Sequence, residues 1–401
     1  MGFASGRVSF RRYHVQGRMP RRIDDALITR LRNNAFGTST EASADGVEHG
    51  WITPVHLFDT AFDTAKVSAG RFLHVMLRID RLGPPANILR SYRRIEELAV
   101  LAASGRPTLS KAQRREAKEA AVDRADKETK TGAFRRITAH AVVIDLENST
   151  LYFSAMSNAA HERLTQLFGH TFDAKLTPLS AAEVAARFAE PAGLLEAYHD
   201  ALPTHLVESP EGAAETSAAG DQSFLGREFL SWLWYELETG DGTLELTPDG
   251  RTQLPTEVAI LIDKTLQLDC DYEQNGKDVL HADGPTALPE AKAALRMGKQ
   301  PTRMGLVLAA DGDDYALTLD ATGLGVRGLK LPDVDEPQPQ ARLEERCAHV
   351  ANVTAILDNL FATFLKTRLG EEAPALREEM RAWARGEVSS ESSAAPLRVA
   401  R

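Results

Sequence analysis

The sequence predicts an α+β protein: mixed antiparallel sheets, a projecting charged helical hairpin and a long C-terminal amphipathic helix. Three observations carry that expectation. Segments with alternating apolar side chains are joined by short turns, as where residues 136–145 and 150–155 flank Leu146-Glu147-Asn148-Ser149, the pattern of a strand hairpin. Residues 109–130 are rich in helix formers but have almost no large apolar side chain after Leu109, so this helix has no broad face to bury and should project into solvent. In residues 341–369, Val350, Val353, Leu357, Leu360 and Phe364 recur at alternating steps of three and four, an amphipathic seam.

The remaining elements follow in order. Residues 7–17 place Val8, Phe10, Tyr13 and Val15 in a first strand. Pro20 stands near the start of a helix over about 21–34 with Ile23, Leu27, Ile28 and Leu31 on one face. The run Gly50-Trp51-Ile52-Thr53-Pro54 is extended, and residues 71–80 alternate as a strand. Two helices, 86–104 and 109–130, are separated by Ser104-Gly105-Arg106-Pro107, where glycine and proline supply the stop and the turn. A helix of roughly 157–168 follows the strand hairpin. Residues 203–222 are small, acidic and without periodicity, a linker or mobile loop. Beyond them come an apolar helix at 224–238 and strands at 256–270, 303–309 and 314–320, the last two joined by Ala310-Asp311-Gly312-Asp313. The final dozen residues look disordered. The chain therefore divides into a basic α+β domain at 1–180 with its helical tip at about 86–130, a helix and acidic linker at 181–222, a second α+β portion at 223–369, and a helix remnant with a disordered tail at 370–401.

Charge is segregated. Residues 1–145 hold 25 Lys and Arg against 16 Asp and Glu, a balance of +9, whereas the remaining 256 residues carry −19, and the chain as a whole −10. A segregated basic region suits a polyanion, because Lys and Arg contacts to phosphate dominate sequence-independent nucleic-acid affinity. Hydrophobic content of 43% and charged content of 26% are those of an ordinary globular chain. Cys270 and Cys347 form no CxxC pair, which excludes a disulfide framework and a structural zinc site and suits a reducing compartment. No apolar run approaches the roughly 20 residues that cross a bilayer, and arginines interrupt the N-terminus, so a cytoplasmic location without membrane attachment is expected.

Lys111, Arg114, Arg115 and Lys118 fall at i, i+3, i+4 and i+7, on one face of the projecting helix. They could track a phosphate backbone; the alternative is a solubilising surface helix with i,i+4 pairs such as Arg115–Glu119. Lys127, Lys130, Arg135 and Arg136 continue the positive charge towards the next strand, with Phe134 among them as an apolar contact for sugar or base, or as an anchor in the core. Phe229, Trp232, Trp234 and Tyr235 have the spacing of a core helix, with base stacking or a partner interface as the alternative. The seam Val353, Leu357, Leu360 and Phe364 suits either intrachain packing or a dimer interface. Catalytic signatures are missing: there is no G-x-S-x-G, Walker P-loop, G-x-G-x-x-G or H-E-x-x-H. The carboxylate pairs Asp145 with Glu147, Asp249 with Glu257, and Asp313 with Asp314 sit at strand ends or turns, where acids commonly make local hydrogen bonds. Neither a cofactor, a metal nor an enzymatic activity is expected.

The run from Gly50-Trp51 through Arg81-Leu82-Gly83-Pro84, the two charged helices, Gly132-Ala133-Phe134-Arg135-Arg136 and residues 142–145 resembles the RdgC family of recombination-associated DNA-binding proteins. So do Gly298-Lys299-Gln300-Pro301, the hairpin at 306–319, Gly328-Leu329-Lys330-Leu331-Pro332 and the terminal helix; the likeness is one of collinear order over most of residues 7–369. The resemblance implies a ring-forming homodimer that encircles double-stranded DNA with little sequence preference, with single-stranded DNA as a secondary partner. It also implies a nucleoid-associated protein that restrains RecA-mediated strand exchange without catalysis. It adds Arg81 to the DNA-facing residues and puts Phe134 at the DNA-facing rim. Two positions depart from the family: Gly132 replaces the arginine of its Arg-Ala-Phe, and His281-Ala282-Asp283-Gly284-Pro285 is not basic. DNA binding should then rest on the N-terminal third. The alternatives are an interaction module of the same fold that has lost DNA binding, and a metal-dependent exonuclease.

Overall fold

Strands whose side chains alternate between two faces need neighbours for their backbone groups, and here every strand pairing is antiparallel. The computed structural model describes residues 2–38, 46–105, 107–207, 221–247, 254–270 and 276–387. The first half runs β1 (Val8–Gln16), α1 (Asp25–Asn33), β2 (Val47–Ile52), α2 (Thr64–Val67), β3 (Ser68–Ala69) and β4 (Phe72–Leu82). Then come α3 (Ala86–Ser104), α4 (Lys111–Lys130), β5 (Arg135–Asp145), β6 (Thr150–Phe153), α5 (Asn158–Phe172), β7 (Lys175–Pro178), α6 (Ala181–Ala192) and α7 (Leu195–Asp200). The second half has α8 (Phe224–Thr239), β8 (Thr243–Glu245), β9 (Glu257–Asp269), β10 (Asp278–Ala282), α9 (Pro289–Arg296) and β11 (Gln300–Ala310). It ends with β12 (Asp313–Asp320), β13 (Val326–Lys330), α10 (Pro339–Leu369) and α11 (Ala373–Arg385).

The fold is thus mixed α and β with one large antiparallel sheet. Its order is β10-β9-β11-β12-β13-β1-β6-β5-β4-β2, with β3, β7 and β8 pairing at β4, β1 and β9. The joint is β1: Val8 and Phe10 pair with Leu329 and Val326 of β13, while Arg11–His14 pair with β6 and Tyr13–Gln16 with β7. One apolar core lies under α1 and α5, where Leu31, Leu164 and Phe168 meet Trp51, Leu77 and Ile144. The other face of the same strands, with Phe72 and Val143, joins a larger core beneath α6, α8, α10 and α11. The first half of the sheet is therefore covered on both faces except at the end of β4 and start of β5, where Arg81, Leu82, Arg135 and Arg136 are exposed. In the second half, Leu306, Leu317 and Leu329 point into the larger core, whereas Leu261 on the opposite face is 42% exposed.

Several boundaries differ from expectation for local reasons. The helix expected from residue 21 starts at Asp25, because the Asp24 side chain accepts the Leu27 N–H at 2.8 Å and caps it there; Pro20 lies outside. The helix expected at 157–168 runs on to Phe172 and stops at Asp173 in the left-handed region. Residues 373–385 form a full helix, α11, with Leu376, Met380 and Trp383 buried, rather than a remnant. Residues 208–220 of the acidic segment, Asp249 and the tail from 388 lie outside the described residues.

The seam of α10 needs a correction. Val353, Leu357, Leu360 and Phe364 are all buried inside the chain's own core, with Phe364 against Phe229, Trp232 and Phe361, so they are not available as a dimer interface. Coiled-coil spacing specifies an apolar partner face, and α8 and the sheet supply it. The apolar content of α10 also exceeds what was expected: by length and composition it could cross a membrane, with an 18-residue window of mean hydropathy 1.2, but 61% of that window is buried. Two ion pairs fix it: a buried one from Arg368 Nε to Glu228 on α8 at 2.6 Å, and one from the buried Arg12 to both oxygens of the half-exposed Asp358 at 2.6 and 2.7 Å. Replacing Leu360 by Ala should lower the unfolding free energy by about 2–5 kcal/mol in urea titration and leave the sedimentation profile unchanged. Lost self-association with undiminished stability would return the seam to an intermolecular role.

Candidate nucleic-acid interface

β4 and β5 pair in register along their whole length, with Leu82 opposite Arg135 at the end where α3 and α4 leave the sheet. α3 buries none of its side chains, and α4 buries only Ala117, Ala121 and Ala125. These alanines recur every four residues, one row per turn, and their small size lets the two helices pack closely. At the helix ends Ser110 and Gln113 form a reciprocal capping box, and Gly105 closes α3 at φ 61°. The base is held by Tyr92 Oη donating to Glu128 at 2.5 Å, with Arg124 stacked 4.4 Å over the Tyr92 ring.

Lys111, Arg114, Arg115 and Lys118 are exposed on the first two turns of α4, the end away from the sheet. Arg115 is ion-paired with Glu119 at 2.8 Å, as in the alternative reading of a solvated surface helix; the other three have no carboxylate partner among the described residues. Lys127 and Lys130 do not extend this stripe. Lys127 lies nine residues beyond Lys118, and at about 3.6 residues per turn nine residues bring it to the opposite side of the helix. The positive charge continues along the axis but changes face. α4 also carries five acids among its seven cations, so its field is mixed.

The sheet end separates the three remaining arginines. Arg135 donates to Asp80 at 2.6 Å and lies 3.6 Å from Glu48. Asp80 is simultaneously bonded by Arg78 through Nε at 2.8 Å and Nη2 at 2.7 Å, and Arg78 is clamped between the Phe36 and Phe58 rings. Burial alone would raise the Asp80 carboxyl, but the hydrogen bonds from Arg78 and Arg135 outweigh it and hold it below its ordinary value. Arg135 is therefore a structural cation whose charge is neutralised. Arg81 and Arg136 are its opposite. They face one another directly across the β4–β5 ladder, both exposed, and neither has a carboxylate partner among the described residues.

Phe134 is half-buried and holds φ 65°, a left-handed conformation that costs a bulky residue about 1–3 kcal/mol. Gly132 stands at φ 87°, so the glycine that departs from the family pattern occupies a position where an arginine would be strained. The sequence did not single out Arg90 and Arg94, also exposed cations of α3, because α3 was read only as the partner of α4. Asp145 is committed locally: it accepts from Glu147 N, Asn148 N and Asn148 Nδ2 and pairs with Arg71 at 3.2 Å. The aromatic residues of α8 are core residues, with Phe229, Trp232 and Trp234 buried.

No protein-family model matches this chain, and no curated protein does.

Replacing Asp80 by Asn leaves the buried Arg78 without its anion and should destabilise the chain by about 3–5 kcal/mol at neutral pH. Because the folded carboxyl titrates below its unfolded value, its contribution is full above pH about 4 and is lost as pH falls through the folded value. Urea unfolding at neutral and acid pH should show the variant lacking that part of the acid dependence; an equal loss in both proteins would overturn the assignment.

Proposed function

We propose that the chain binds duplex DNA without sequence preference and without catalysis, through the cations at the base and outer turns of the α3–α4 pair. The single observation behind this reading is the Arg81–Arg136 pair. Like charges directly opposite on neighbouring strands repel, and this pair has no carboxylate partner among the described residues, whereas Arg135 one residue away is paired with both Asp80 and Glu48. An external polyanion relieves that repulsion, and phosphate oxygens are the anions that arginine engages most readily. Lys111, Arg114 and Lys118 add exposed positive charge on the outer turns of α4, and Lys127 and Lys130 add it nearer the sheet on a different face of the helix.

The collinear resemblance to the RdgC family supports a role in restraining RecA-type strand exchange and a ring-forming homodimer. Any such dimer would have to use surfaces other than the α10 seam. A second reading, an interaction module, is favoured by Ile95, Leu98 and Val122, which stand 48, 48 and 39% exposed on the helical pair.

The two readings separate on salt. Arg81→Gln with Arg136→Gln should reduce the slope of log affinity against log salt by about 2 for a duplex, measured by fluorescence anisotropy. Arg135→Gln should leave that slope unchanged. No wild-type binding at low salt, or binding indifferent to salt, would exclude the DNA reading.

A further inference from the structure

A second group of cations, on neither α3 nor α4, lies where the two halves of the sheet meet. α5 covers the face of β1 that carries Tyr13 and Val15, and this cover ends at Arg11. Beyond it the same sheet face carries Arg303 of β11, Asp320 of β12 and Arg327 of β13, on adjacent strands. Between this row, the start of α5 and the loop leading into α6 lies a cleft of about 790 Å³, walled by Arg11, Asn158, Ser180, Asp320 and Thr322 among others. Its volume is that of a small-ligand site.

The charge in this row is unbalanced. Asp320 is engaged by Arg303 at 3.1 Å and by the Gly323 N–H at 3.2 Å. Among the described residues, Arg11 has only an amide partner, Asn158 Oδ1 at 3.3 Å. Arg327 Nε is buried with no hydrogen-bond partner among the described residues, and its guanidinium is held below its ordinary value by burial first, then by Arg303 and Arg11, with Asp320 opposing. Among the described residues, three guanidiniums therefore share one carboxylate. Of the cleft's other charges, Arg12 is committed to Asp358, and Glu162 stands exposed on the wall. A partly buried donor left unsatisfied among like charges is costly unless an anion completes it.

We propose that Arg11, on the wall of this cleft, and its sheet neighbours Arg303 and Arg327 form a phosphate-ester site, with Asn158, Ser180 and Thr322 of the cleft wall as neutral polar groups for the rest of the ligand. The site does not depend on the α3–α4 cations. Its phosphate comes either from a DNA backbone crossing the sheet face or from a free phosphorylated molecule such as a nucleotide.

The full chain, its Arg11→Gln/Arg327→Gln variant and an Arg81→Gln/Arg136→Gln variant are titrated with inorganic pyrophosphate, ATP and a short duplex. Without ligand, Arg11→Gln/Arg327→Gln should melt no lower than wild type, because it removes repulsion. If it melts lower, Arg11→Gln alone, at a half-exposed position, replaces it. Pyrophosphate or ATP affinity reduced about tenfold or more in the Arg11 variant and retained in the Arg81 variant supports a free phosphorylated ligand. Duplex affinity and salt slope reduced in the Arg11 variant, without small-anion binding, support the backbone. Wild type binding none of the three probes, or the Arg11 variant binding them as wild type does, overturns the site. Pyrophosphate or ATP binding that depends on Arg11, without duplex binding, retains this site and removes the DNA reading.

Discussion

The pairing of β1 is the constraint on which the rest of the structure depends. This nine-residue strand takes hydrogen bonds from β13, more than 300 residues later, and from β6 and β7. Without it the two halves would be separate sheets with open edges, which invite pairing with other chains. Arg12 at its centre reaches α10 on one face, and Arg346 of α10 donates to the carbonyls of Phe3 and Gly6 just ahead of the strand. The first and last parts of the chain are thus locked together by backbone pairing and by guanidinium hydrogen bonds. Such long closures place the joint among the late events of folding, because the entropy of bringing distant segments together must be met before the contacts form.

The same joint changes the meaning of the charge segregation. A count of +9 in residues 1–145 treats every cation as available. In the fold, Arg12 is committed to Asp358, Arg71 to Asp145 and Glu147, Arg78 and Arg135 to Asp80, and Arg32 to the Phe62 carbonyl. These arginines hold elements together, and those paired with carboxylates contribute little outward field; Arg32, bonded to a neutral carbonyl, keeps its charge. What remains outward is narrower, and includes Arg81 with Arg136, part of α4, Arg90 of α3, Arg11, and Arg18, Arg21 and Arg22 ahead of α1. Conversely, β1 sets Arg11 beside Arg327 from the acidic half, so a local excess of positive charge arises where the composition predicts a deficit.

The strands were legible because alternation is a local property: the segments at 136–145, 303–309 and 314–320 lie within strands of the fold, that at 7–17 overruns its strand by one residue at each end, and that at 71–80 by one at its start. The helical pair was legible because its polarity excludes burial. The five-residue strands β10 and β13 were too short to show a period, and they exist because β9, β12 and β1 offer edges to pair with. The start of α1 turned on a single capping side chain, Asp24, which competes with the nearby Pro20 signal. The α10 seam could not be assigned from spacing, since a repeat of three and four records that a face is covered and not what covers it. Charge pairing was the least legible property of the site. Arg135 and Arg136 are adjacent in sequence and alike in type, yet the pleat turns one towards Asp80 and Glu48 and the other towards Arg81.

That alternation bears on how a polyanion would meet the sheet end. Neighbouring residues on a strand point to opposite faces, so Arg135 braces the root of the helical pair from one side while Arg81 and Arg136 are presented on the other. The brace is stiff: Arg78 is held by two rings and a carboxylate, and Asp80 is shared by two guanidiniums. A cation pair built on such a root would lose little backbone entropy on engaging phosphate, because the β4–β5 ladder already fixes the chain beneath, and the cost would fall on the two side chains. The outer turns of α4 have no comparable support beyond three alanines and a capping box, so their lysines contribute charge more than geometry. The stiff root and the looser outer turns divide the work in a way suited to a ligand whose charge is regular and whose sequence is irrelevant.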